Sequence, residues 1–207
     1  MKNTMLKNLF IVTTMLFAVI GAGSMDNADT KAEAINKLSR HFTAVPTMTG
    51  EFIQFGPNGE QTGGEFYIQR PGKIRFDYED PSPLMLISNG KTLGVRNAKL
   101  KTWQYIPLRK TPLSLLLAKQ LKVDDESVRE IQAGEDVTRV VMGDKNIFGD
   151  SEITLLFDPN TFDLRQWTIK DNQGKETSVM IFNVQKNVRI PEKTFALRKS
   201  RPTTSER

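Results

Sequence analysis

The chain reads as a mainly β single domain: about a dozen mostly antiparallel strands in a strongly curved sheet, nearly a barrel, with helices over its open concave side. Three observations predict this. Apolar residues recur at period two through most of the 207 residues, as in strands with one buried face. Turn chemistry stands at the joints, at Asn58-Gly59, Pro71-Gly72, Asn89-Gly90, Asp158-Pro-Asn160 and Asp171-Asn-Gln-Gly174. Two segments with helical spacing carry apolar faces that must be buried, and the concave side of a curved sheet is the economical place.

Residues 1–24 read as an export signal. Lys2 and Lys7 supply the positive start, residues 9–20 an apolar run interrupted only by Thr13 and Thr14, and Ala22-Gly-Ser24 a small-residue cleavage site. The run is shorter than the roughly 20 residues of a membrane span; an uncleaved anchor is the alternative. No cysteine follows it, which excludes an acylated lipoprotein. Cleavage would leave 183 residues, 25–207, enough for one domain with a sizeable core. The formal charge of +5 includes Lys2 and Lys7, so the remainder carries +3. That falls short of a nucleic-acid footprint and permits weak attraction to an anionic membrane or an acidic partner. With no cysteine, packing alone holds the fold.

Residues 29–43 fit a helix capped by Asp29 or Thr30, with Ile35, Leu38 and Phe42 on one face and Pro46 as its stop. Strands are expected over 47–55, 63–69, 73–78, 84–88, 92–96 and 101–106, with Asn89-Gly90 a strong short-hairpin signal. A second helix fits 112–121, where Thr111 can cap, Pro112 takes the first turn, and Leu113, Leu116, Leu117 and Leu121 form the apolar face. Strands resume over 127–132, 137–142, 152–158, 162–170 and 176–185, and a short one over 194–197 can close the series. There is no linker and no internal repeat.

Catalytic chemistry finds little footing. The single histidine, His41, sits on the first helix away from any nucleophile motif, as a surface or packed residue. One histidine and no cysteine cannot make a usual zinc site, and no nucleophile elbow, phosphate loop or dinucleotide fingerprint appears, so no metal or cofactor is expected. Asp77 and Glu79 could do acid–base work on a lipid ester, but strand parity sets them opposite Phe76 and Tyr78, toward water.

Aromatic residues share parity on successive strands: Phe52 with Met48, Phe66 with Ile68, Phe76 and Tyr78 with Ile74, and later Trp103 with Tyr105 and Trp167 with Ile169. Two readings are open, the core any β domain needs or an apolar site for a lipid. Arg70 continues the phase of Phe66 and Ile68. Either it snorkels at the strand end, or it points inward and donates to carbonyls or a polar ligand head as a latch.

Several motifs occur in an order that resembles the periplasmic lipoprotein carriers of the LolA family. They are Gly50-Glu-Phe52-Ile-Gln54, Gly64-Glu-Phe66, Arg70-Pro71-Gly72-Lys-Ile-Arg-Phe76-Asp-Tyr78, Ile87-Ser-Asn-Gly90-Lys-Thr and Thr111-Pro112-Leu-Ser-Leu-Leu-Leu117. Ile153-Thr-Leu-Leu-Phe157, Leu164-Arg-Gln-Trp-Thr-Ile169 and Asp171-Asn-Gln-Gly174 are similar to its C-terminal hairpins. The resemblance spans roughly residues 30–197. It implies an unclosed barrel of 11–12 strands with a helical lid, and a monomeric, non-enzymatic carrier in the Gram-negative periplasm. Its cargo would be lipoprotein acyl chains, received from an inner-membrane Lol-type ABC transporter complex and passed to the outer membrane. Arg70 would hold the lid shut. Phe52, Phe66, Ile68, Ile74, Phe76 and Tyr78 would line the acyl site, with Trp103, Leu113, Leu116, Leu117 and Trp167. A carrier or sensor for another amphiphile, such as a glycolipid, is the alternative. The chain departs from the pattern at Val137-Thr-Arg-Val-Val-Met142-Gly and in the basic tail 198–207, a disordered end or a partner contact, which leaves the outer-membrane acceptor open.

Overall fold

A computed structural model describes residues 25–121 and 126–197; the expected export signal and the basic tail lie outside them. Eleven strands form one antiparallel sheet: β1 (Thr47–Phe55), β2 (Gln61–Gln69), β3 (Lys73–Tyr78), β4 (Leu84–Asn89), β5 (Thr92–Asn97), β6 (Thr102–Pro107), β7 (Val128–Ala133), β8 (Thr138–Met142), β9 (Glu152–Phe157), β10 (Leu164–Lys170) and β11 (Glu176–Lys186). The spatial order is β6-β5-β4-β3-β2-β1-β11-β10-β9-β8-β7. Edge strands β6 and β7 do not pair, so the barrel stays open.

Register sets the two faces. Gly50 faces Phe66, Phe66 faces Phe76, Phe76 faces Leu86, and Phe52 faces Ile181, so the apolar set of each strand lands on the same concave side. Phe52, Phe66, Ile68, Ile74, Val140, Ile153 and Leu155 are all at most 1% exposed. Helix α1 (Met25–Ala44) lays Leu38 and Phe42 into this core, and α2 (Leu113–Leu116) adds Leu113 and Leu116. A third short helix, α3 (Lys145–Phe148), was not expected; Asp144 caps it by accepting from the Asn146 amide at 2.8 Å.

Three expectations need correction. Helix α1 begins at Met25, before Asp29 and Thr30, because no glycine or proline stands between to stop it. The 112–121 helix shrinks to Leu113–Leu116, and Thr111 gives no side-chain cap: its hydroxyl donates to the Leu108 carbonyl at 2.8 Å. The early end has a local cause. In a longer helix the carbonyls of Leu116 and Leu117 would accept from amides four residues on; here they accept from Arg70 Nε at 3.1 Å and the Gly72 amide at 2.8 Å. Finally, 194–197 is no strand. Behind Pro191 a 3-10 turn, Glu192–Phe195, lies on the outer face of β3 and β4, where Arg75 Nη1 donates to the Thr194 carbonyl at 3.3 Å.

The Pro71-Gly72 turn fixes Arg70. Gly72 has φ +78°, and a Cβ there would stand 2.7 Å from Gly90 Cα, so the β2–β3 and β4–β5 turns touch backbone to backbone. This packing holds the Gly72 amide against α2.

Candidate functional site

Strand β2 ends at Gln69, and the next side chain in phase with Phe66 and Ile68 is Arg70. It points inward and is 6% exposed. Nη1 donates to the Val45 carbonyl at 2.7 Å and Nε to the Leu116 carbonyl at 3.1 Å, while the Arg70 amide donates to the Pro46 carbonyl at 2.8 Å. Val45 follows α1 and Leu116 ends α2, so the guanidinium sits where two helices present unused carbonyls, and the dipole of the long α1 favours a cation there. Its carbon lies 3.8 Å from the centre of the Phe42 ring, a cation–π contact. No carboxylate pairs with Arg70 among the described residues, and burial without a counter-ion pulls its pKa down to about 10. Nη2 is buried without a hydrogen-bond partner.

Two apolar cavities of about 230 Å³ each lie beneath the helices, and Arg70 lines the first of them. One lies under the end of α1, between Phe42, Val45, Met48, Arg70, Phe157 and Val184, with His41, Asp163 and Lys186 at its rim. The other lies under Leu113 of α2, between Phe76, Tyr78, Leu86, Trp167, Ile169 and Val179. Met48 borders the first and Gln54 the second, so along β1 the packed Phe52, beside Phe66 of β2, stands between them.

The aromatic ring system is continuous. Phe52 meets Phe76 edge-on at 4.4 Å and Tyr78 at 5.1 Å, Phe66 stacks on Phe76 at 6.2 Å, and Trp167 reaches Phe76 at 5.9 Å. Tyr78 donates to Gln54 Oε1 at 2.7 Å, and burial pushes its hydroxyl pKa up to about 12. The concave face thus brings together Phe52, Phe66, Ile68, Ile74, Phe76, Tyr78, Leu113, Leu116, Leu117 and Trp167. Trp103 does not join them. It pairs with Arg96, stacks on Tyr105 at 5.8 Å, and borders Gly94 on the outer face, opposite Leu93 of the core. Asp77 lies on that outer face too, held by Arg75 Nε at 2.7 Å.

Sequence reasoning missed a second tie. His41 Nε2 lies 2.8 Å from Asp163 Oδ1, and Lys186 Nζ donates to both Asp163 oxygens at 2.8 and 2.9 Å. This cluster joins α1 to the β9–β10 turn and β11. Burial alone would raise the Asp163 pKa, but hydrogen bonds from Lys186 and His41 outweigh it and hold the carboxyl below its ordinary value. His41 and Asp163 are 122 residues apart, beyond any spacing argument.

Residues 43–198 match the family described as outer membrane lipoprotein carrier protein LolA. Proteins named outer-membrane lipoprotein carrier protein are 26% identical: one from Pseudomonas aeruginosa over 200 residues, covering 89% of this chain and 93% of that one, and one from Chromobacterium violaceum over 201, covering 92% and 94%. Among solved structures, a LolA superfamily protein from Nitrosomonas europaea aligns with a TM-score of 0.45 at 8% identity, covering 81% of this chain and 97% of that one.

Proposed function

Because this chain belongs to the LolA family of outer membrane lipoprotein carrier proteins, we propose that it shelters lipoprotein acyl chains against the concave face and carries them through the periplasm to the outer membrane. The reading rests chiefly on Arg70, a buried cation whose side-chain partners are carbonyls at the ends of the two covering helices, set at the wall of an apolar cavity.

The physics of transfer fits this arrangement. Each buried CH₂ is worth about 0.8 kcal/mol, so an acyl chain leaves a membrane only for a comparable apolar site. A carrier must also give its cargo up. Closing the helices over the empty face gains the hydrogen bonds of Arg70, each charge-assisted and worth about 1.5–3 kcal/mol. Cargo too large for either cavity must lift α2, with Leu116 and Leu117, from the concave face and break those bonds. The closed empty state therefore competes with the loaded one, which keeps retention loose. Arg70 Nη2, buried beside the first cavity without a partner, is a donor suited to an ester or amide oxygen at the head of the chain. On this reading the export signal delivers the protein, and an inner-membrane Lol-type ABC transporter complex loads it.

The test is equilibrium binding of a fluorescent acyl probe. The protein is expected to take up the probe, and Arg70→Leu, which cannot make the closed-state bonds, to hold it about 10–100-fold more tightly. Failure to bind any acyl probe would overturn the carrier reading. Equal affinity in Arg70→Leu would sink the latch. Mass spectrometry of lipid that copurifies decides between lipoprotein acyl chains and another amphiphile.

A further inference from the structure

Charge is segregated along the chain in a way the acyl site does not use. Between Asp80 and Asp124 the sequence holds no Asp or Glu and eight Lys or Arg. Lys91 stands just before β5, Arg96, Lys99 and Lys101 lie on the β5–β6 hairpin, Arg109 and Lys110 lie on the 3-10 turn after it, and all six are exposed. None is in an ion pair with a described residue. At the opposite edge the charges neutralise one another, as Arg139 of β8 meets Glu130 of β7 at 2.9 Å and Arg129 of β7 meets Glu152 of β9 at 3.1 Å.

Apolar surface accompanies the unpaired charge. Leu100, at the tip of the β5–β6 turn between Lys99 and Lys101, is 67% exposed, and Tyr105 and Ile106 of edge strand β6 are each 38% exposed. Leu197, the last described residue, lays its side chain on Gly94 in the middle of β5.

We propose that the β5–β6 edge docks on anionic phospholipid surfaces, its cations reaching the phosphates while Leu100 and Ile106 enter the interface. An acidic protein would satisfy the cations, but it gives no reason for the most exposed leucine among the described residues to stand at the tip of a cationic hairpin. Cationic side chains around projecting apolar ones match a bilayer interface, where both find their medium. The helices cover the concave face, so the edge can meet a membrane without closing the acyl site. This inference does not depend on which cargo the cavities take.

Vesicle flotation tests it, using the chain in the form that the cell accumulates and vesicles of phosphatidylcholine alone or with about a third phosphatidylglycerol. Binding to the anionic vesicles is expected to exceed binding to the zwitterionic ones by about tenfold, and to fall steeply with salt. Lys99→Glu/Lys101→Glu and Leu100→Asp are each expected to abolish it. Lys170→Glu/Lys175→Glu, an equal charge change at exposed sites on the other half of the sheet, should leave it intact. Circular dichroism checks that each variant is folded, and acyl-probe uptake, read separately, should be unchanged in all of them. Equal loss in the Lys170/Lys175 variant would reduce the effect to net charge and overturn the proposal. So would absence of binding to anionic vesicles, which would leave the basic edge to an acidic protein.

Discussion

Helix α1 is held to the sheet at two points, built on opposite principles. The inner tie is one cation, 6% exposed, bonded only to carbonyls and stacked on Phe42. The rim tie is a charged cluster in which Asp163 and His41 side chains are 33% and 28% exposed and Lys186 is 40% exposed. Water screens the rim, so its ion pairs are worth little, while the inner bonds form in a low-dielectric site where a lost partner is expensive. Neighbouring residues of one helix, His41 and Phe42, serve the two ties. The difference teaches that the lid's energy lies in the buried, uncharged partners of Arg70, although the rim holds more of the charge.

Four measurements can break or sharpen that contrast. The largest effect is expected from Phe42→Ala, which removes a ring 3% exposed and the surface on which the guanidinium rests. Denaturant unfolding should show a loss of about 3–5 kcal/mol; a loss below 1 kcal/mol would mean that the inner tie is not where the stability lies. Next comes Arg70→Lys. A single ammonium on a flexible stem cannot span the Val45 and Leu116 carbonyls as the planar fork does, so about one charge-assisted bond, 1.5–3 kcal/mol, is lost. Acyl-probe affinity should rise about tenfold, and an unchanged value would show that charge alone suffices.

At the rim, His41→Ala should lower stability by no more than about 1 kcal/mol, and by less in high salt. A larger, salt-independent loss would reverse the ranking of the two ties. The smallest effect is the pH response of Asp163. Its folded-state pKa lies below the ordinary 3.8, so its contribution is complete above that value and is lost as pH falls through the lowered one. Asp163→Asn should flatten this acid limb of a stability–pH curve, and the two curves should converge in acid. Parallel curves at all pH values would remove Asp163 from the account.

The sequence made the strands legible because period-two patterning and turn residues agree. Strands 47–55 and 73–78 emerge with the expected bounds, and the Gly90 turn follows from Asn89, whose Oδ1 accepts from the Lys91 and Thr92 amides. Arg70's inward direction was legible as one of two parities. Its partners were not, since they depend on where helices 25 and 46 residues away come to rest. The same limit shortened α2, whose final carbonyls are taken by a turn far off in sequence. Trp103 shows what parity leaves open: it pairs Trp103 with Tyr105 but does not say which face the pair takes on an edge strand. The first cavity escaped because Met48, Phe157 and Val184 come from three separate stretches, each reading as ordinary core.

The place of β1 in the sheet has a consequence for how the chain folds. Strands β1 to β6 and β7 to β11 are each paired with sequence neighbours, so each half can form by closing short loops. Only the seam of β1 on β11 is distant, joining Met48 to Lys186 and Phe52 to Ile181. Loop-closure entropy places that pairing late, and substitutions at the seam such as Ile181→Val should therefore speed unfolding more than they slow folding, as stopped-flow kinetics would show. Until β11 has emerged and docked, β1 is an additional open edge at what will be the middle of the sheet. A nascent or truncated chain is thus most prone to pair with its copies along the line that the finished fold hides best.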